Sequence, residues 1–139
     1  GRWFTELASP LNGEIQENVS LDRCLGAIGD SAVVEALGLG AMQISSAPEQ
    51  LKVFKNVLPV NYQARSDFLK MGNHYDFNKA TPKIGITIRS INNFESGPLV
   101  ALGIIDRTGD LGRIGGGIYD PPLKLFKSAI DALDQSHEY

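Results

Sequence analysis

Seven residues in the last third of the chain, Leu99-Val100-Ala101-Leu102-Gly103-Ile104-Ile105, carry no polar side chain. The run is far too short to span a bilayer, which takes about 20 apolar residues in a helix. A short continuous apolar run of this kind reads as a strand buried within a core. Asp106 to Asp110 then turns the chain. Everything else has to be arranged around that strand.

Helical patterns flank it. Asp30-Ser31 is placed to cap a first helix, and Glu35 adds a favourable charge near its positive end. Ala32, Val33, Val34, Ala36 and Leu37 run nearly all round this helix, so it is expected to be buried. Gly38 and Gly40 mark its ending or a close packing contact. Ser46-Ala47-Pro48-Glu49 has the spacing of a capping box. Leu51, Phe54 and Leu58 then repeat on one helical face until Pro59 stops them. Residues 60–71 predict a third helix and residues 73–82 a loop. In residues 83–94 the isoleucines fit both periods, which predicts a short strand running into a helical turn. The last helix is expected to start near Asp120, with Pro121 at its first position. Leu123, Phe126, Ile130 and Leu133 make its buried face. Residues 1–28 read as irregular, with turns at Pro10 and Asn12-Gly13 and with Trp3 and Phe4 packed on the core. The expected fold class is mixed α/β (α+β): a small buried sheet packed by several helices, a single domain over residues 1–139.

At 139 residues, 42% of them hydrophobic and 21% charged, the chain can bury one core. Thirteen Lys and Arg against sixteen Asp and Glu are scattered rather than striped, which argues against nucleic acid as a partner. No apolar run or secretory leader points to a membrane or to export. With Cys24 as the single cysteine no internal disulfide forms, and the expected compartment is cytoplasmic. Two histidines and one cysteine far apart make no metal set, and no cofactor is expected. Cys24, His74 and Asp30 have no spacing that supports a catalytic trio.

Two segments are candidates for binding. Gly112-Arg113-Ile114-Gly115-Gly116-Gly117 lies between the buried strand and the last helix. Consecutive glycines in a turn let backbone N–H groups converge on an anion, and Arg113 adds a bidentate clamp. It is neither a Walker A loop nor a dinucleotide fingerprint. The alternative is a turn whose glycines permit close packing. Gly29-Asp30-Ser31 is the second candidate. The helix start offers free N–H donors, Asp30 can orient a hydroxyl or amide, and Ser31 can donate to an anion. Simple capping explains the same residues. Arg89, set among isoleucines, calls for a carboxylate partner, structural or bound.

The ordered set Gly29-Asp30-Ser31-Ala32, Glu35, Gly38-Leu39-Gly40, Ala47-Pro48, Arg89, Gly103-Ile104, Gly112 to Gly117, Pro121-Pro122 and Phe126 resembles the C-terminal region of the YlbE-like proteins. That family includes a subunit of oxamate carbamoyltransferase. The stretch Ser20 to Ala27 departs from the asparagine-rich approach expected there. The resemblance implies a part of a transferase complex that makes oxalurate and phosphate from oxamate and carbamoyl phosphate, or runs the reverse, in allantoin and purine breakdown. It implies a small anionic substrate, other subunits as partners, and a chain that is the C-terminal part of a longer protein, inactive alone. Substrate-binding roles then fall on Gly29, Asp30, Ser31, Arg89, Gly112, Arg113, Gly115, Gly116 and Gly117. No catalytic residue is identified. A non-catalytic assembly domain is the alternative.

Overall fold

The computed structural model describes residues 2–73 and 83–136. The expected loop from Asn73 to Pro82 therefore lies outside the described residues except at Asn73, as does His74. The fold is a mixed α+β single domain. Its centre is a three-stranded antiparallel sheet in the order β1 (Asn12–Ile15), β5 (Arg113–Tyr119), β4 (Val100–Ile105). A separate hairpin joins β2 (Lys70–Asn73) to β3 (Lys83–Ile86). The helices are α1 (Ser31–Ala36), α2 (Pro48–Phe54), α3 (Tyr62–Leu69), α4 (Ile88–Phe94) and α5 (Leu123–Ser136), with a 3-10 segment at Ala41–Ser46.

The apolar run forms β4 as its composition requires. Leu99, Val100, Leu102 and Ile104 are buried. The core joins Leu99, Ile118, Ile91 and Phe54 to Met42 and Ile44 of the 3-10 segment, with Leu123 and Phe126 of α5 packed against them. Residues 83–94 divide as expected into β3 and α4, and the Thr87 side chain accepts from the Ser90 N–H at 3.1 Å to cap the helix. The β4–β5 loop is fixed by Asp106, which is buried. It accepts from Arg23 Nε at 2.9 Å, from Thr108 Oγ1 at 3.0 Å and from the Leu111 N–H at 3.0 Å. The Arg23 guanidinium holds its carboxyl well below the usual carboxylate range, against the opposing effect of burial.

Several local expectations are corrected. The glycine-rich segment is not a turn between strand and helix. Residues 113–119 form the central strand, because Ile114 and Ile118 are pulled into the core and edges are available on both sides. Only Gly112 stays in a turn, at φ 64°. Asn12-Gly13 begins a strand, not a turn, because β5 offers it a partner edge. The helix over 31–36 is exposed: Val33 keeps 73% of its surface and Val34 46%. Glu35 alone is buried in it, since its carboxylate finds donors inside. The capping box does not form. Ser46 ends the 3-10 segment, Ala47 takes the cap position and Pro48 opens α2. Glu49 pairs with Lys52 at 2.8 Å instead. Helix α2 ends at Phe54, short of Leu58. Helix α5 starts at Leu123, two residues beyond Pro121, and none of its residues is fully buried. Trp3 is 89% exposed, and Phe4 lies under the Arg2 guanidinium rather than in the core.

Candidate functional site

Arg113 is the first residue of β5, and its side chain lies flat along the sheet. Nε donates to the Gly115 carbonyl at 3.0 Å. The surface beneath it is glycine: Gly103 of β4 and Gly116 of β5 face each other in register. A Cβ at Gly103 would stand 3.2 Å from Arg113 Nε. One at Gly116 would stand 3.3 Å from Nη2 and 3.4 Å from the Phe54 ring. The two glycines thus leave the space that the guanidinium occupies. Among the described residues Arg113 has no carboxylate partner, so its terminal nitrogens are uncommitted.

The guanidinium borders a cavity of about 330 Å³ lined by Ser31, Gln50, Phe54, Ala101, Leu102, Gly103 and Arg113. Ser31 and Arg113 come from opposite ends of the chain's pattern of motifs and meet here across β4. Gln50 reaches the cavity from α2. An adjoining cavity of about 300 Å³ on the other side of Arg113 is lined by Gly115 and Gly116, with Glu14, Ile15, Gln16 and Val53. Together they make a trough between α2 and the sheet, with Arg113 lying across its middle.

The other candidate residues have different places. Gly115 and Gly117 pack on β1, where an added Cβ would come within 2.2 Å of the Glu14 carbonyl oxygen and 2.8 Å of the Asn12 carbonyl oxygen, respectively. The amides of β5 belong to ladders on both sides, so they do not form a nest for an anion. Gly29, at φ 136°, lies against Leu102 and lines a different cavity. Asp30 is exposed and makes no side-chain capping bond, and Arg89 is exposed on α4 away from the trough. Gln50 and Gly103 line the cavity without being singled out by the sequence. An exposed glutamine on a helix carries no signal until its neighbours are known, and Gly103 looks like ordinary strand filler.

The larger cavity, about 540 Å³, has another character. It is walled by Ile28, Ala32, Ile86, Ile91, Val100, Leu102, Tyr119, Leu125 and Phe126, among others, with the Glu35 carboxylate in its wall. Glu35 accepts from the N–H groups of Ala41 and, at 3.3 Å, Met42, and so caps the 3-10 segment. Burial pushes its carboxyl up, and the N–H groups of Ala41, Met42, Ala101 and Gly40 oppose that rise. Gly40 is required here, because a Cβ would overlap the carboxylate. Among the described residues no group of His, Cys, Asp and Glu is arranged to hold a metal ion, and no described helix is long and apolar enough to cross a membrane.

No protein-family model matches the chain. The chain is 27% identical over 146 residues to the oxamate carbamoyltransferase subunit AllG of Escherichia coli (strain K12), an alignment covering 97% of this chain and 34% of that protein. It is 26% identical over 144 residues to the uncharacterized protein YahG of the same strain, covering 94% of this chain and 29% of that one. A crystal structure of a conserved protein of unknown function from Enterococcus faecalis V583 shares the fold with a TM-score of 0.73 at 23% identity, over 96% of this chain and 34% of that chain. The chain spans about a third of the length of these relatives.

Proposed function

We propose that this domain supplies small-anion binding to a carbamoyltransferase assembly that acts on oxamate or oxalurate and carbamoyl phosphate. The observation that carries the reading is the trough, where an uncommitted Arg113 guanidinium lies over Gly103 and Gly116, facing Ser31 and Gln50. A guanidinium fork matches a carboxylate or phosphate with two parallel hydrogen bonds. Similarity to a subunit of oxamate carbamoyltransferase over nearly the whole chain supports this chemistry over other anion chemistry.

In the forward reaction the amide nitrogen of oxamate attacks the carbamoyl carbon. A C–N bond forms, the bond to the phosphate oxygen breaks, and the nitrogen gives up a proton. Arg113 would hold an anionic group and stabilise charge there. Ser31 and Gln50 are neutral hydrogen-bonding groups and Arg113 is a cation with donors only, so none of the three serves as a base. Glu14, which lines the adjoining cavity, is the one carboxylate of the trough; other domains or subunits complete the site.

The test is calorimetric titration of the chain with carbamoyl phosphate and with oxamate, beside a turnover assay. The expected result is weak, saturable binding without carbamoyl transfer. Removing the guanidinium forfeits charge-assisted bonds of roughly 1.5–3 kcal/mol, so Arg113→Ala should bind about tenfold or more weakly. Arg89→Ala, on a different surface, should bind like the parent. Equal binding by Arg113→Ala, or turnover by the chain alone, would count against the reading.

A second reading, a subunit-assembly domain, has its own support in the exposed apolar side chains Val33 and Val34 of α1 and Leu37 at its C-terminal cap. The two roles are compatible, because α1 reaches the trough only through Ser31.

A further inference from the structure

The cavity beside Arg113 has one charged lining residue, and its other polar side chains, Ser31 and Gln50, are neutral. Resting on the anion-binding reading above, we infer that Gln50 determines specificity: it holds the neutral carboxamide end of a small monoanion whose carboxylate lies on Arg113.

The first support is the charge balance. One guanidinium matches one carboxylate, and Phe54, Ala101, Leu102 and Gly103 offer no second cation for a second negative charge. The next is Gln50 itself. Its neighbours Glu49 and Lys52 are engaged with each other at 2.8 Å, while the Gln50 amide makes no hydrogen bond among the described residues. It is therefore available to whatever enters. A primary amide donates and accepts, so it meets another carboxamide with two complementary bonds. A carboxylate at the same place presents only acceptors, and one of its oxygens would oppose the Gln50 carbonyl. The Ser31 hydroxyl donates or accepts equally well and does not discriminate. Arg113 is itself restrained by its Nε bond to the Gly115 carbonyl at 3.0 Å, which fixes where the carboxylate end can lie.

Oxamate and oxalate test this directly, because they have nearly the same size and differ in one end, carboxamide against carboxylate. Each is titrated into the 139-residue chain by calorimetry, for the parent, Gln50→Leu and Gln50→Lys. Gln50 is exposed on α2, and circular dichroism confirms that each variant keeps the parent's fold. The parent should favour oxamate by about tenfold, the worth of one or two neutral hydrogen bonds. Gln50→Leu should lose most of that preference, and Gln50→Lys should reverse it in favour of oxalate. A preference that is the same in the parent and in Gln50→Lys overturns the role of Gln50 while leaving the anion site intact. If the parent binds neither anion, or Arg113→Ala binds both as the parent does, the anion-binding reading itself fails and the inference with it.

Discussion

The trough under α2 and the apolar cavity beside α1 are built around the same edge strand, yet they place their charged groups in opposite ways. In the trough Arg113 sits over glycines, exposed to solvent, with no carboxylate partner among the described residues. In the apolar cavity Glu35 is 1% exposed, and backbone N–H groups satisfy it. One charge is accessible and uncommitted, the other enclosed and committed. Burial with backbone donors marks a structural carboxylate, whereas the open cation above a glycine floor is the one the proposed function uses. The larger cavity is therefore not the better candidate for anion chemistry, despite its size.

The most severe test of this contrast removes the scaffold that both share. Gly115→Val puts a Cβ within 2.2 Å of the Glu14 carbonyl oxygen, a backbone atom that cannot swing aside. It should cost roughly 4 kcal/mol or more and abolish both cavities, as measured by chemical denaturation. Next comes Glu35→Ala. It leaves the Ala41 and Met42 N–H groups without their acceptor and opens a void, costing roughly 3 kcal/mol. Because Glu35 lies outside the trough, the folded fraction should still bind oxamate as the parent does. If binding falls with Glu35→Ala in protein shown to be folded, the separation of the two cavities is wrong.

The same residue gives a pH signature. The folded Glu35 carboxyl is raised above its ordinary value of 4.5, so its contribution is complete below that pH and is lost as pH rises through the folded value. Asp106 acts in the opposite direction: its folded carboxyl lies below 3.8, so its contribution is present above that pH and is lost on acidification. Stability measured against pH should lose its decline above about 4.5 in Glu35→Ala and keep its acid limb.

The smallest effect on folding is expected from Gly116→Val. Its Cβ meets the movable Arg113 Nη2 at 3.3 Å and the Phe54 ring at 3.4 Å. Stability should fall by about 1 kcal/mol, while displacement of the guanidinium weakens oxamate about tenfold. A variant equally weakened in folding and unchanged in binding would show that this glycine, like Gly115, is only a packing device.

Much of the fold was legible because local pattern and burial agree in it. The apolar run had to be β4, and the double period of residues 83–94 became a strand followed by a capped helix. Where tertiary pairing decides, the sequence was silent or misleading. Three glycines carry no strand preference, and only the edges of β1 and β4 make that segment a strand. The apolar residues of α1 looked buried because their pattern holds nothing about what surrounds it. For the site, Arg113 and Ser31 were legible as residue types in suggestive places. The amides expected to bind the anion are used by the sheet, so the proposed site rests on side chains. Gln50 could not be read at all, because its partners lie 19 residues before it and 63 after it along the chain.

The central claim is that a small anion sits on Arg113 in the trough and not in the apolar cavity. Nitrogen-15 NMR during an oxamate titration of the chain reports on both places at once. Saturable shifts are expected at the Arg113 Nε–H, the Gln50 side-chain amide and the backbone amides of Ser31 and Gly103, with Leu125 and Ala36 unmoved. Shifts confined to Leu125, Ala36 and other residues of the apolar cavity, or no saturable shift at Arg113, would contradict it.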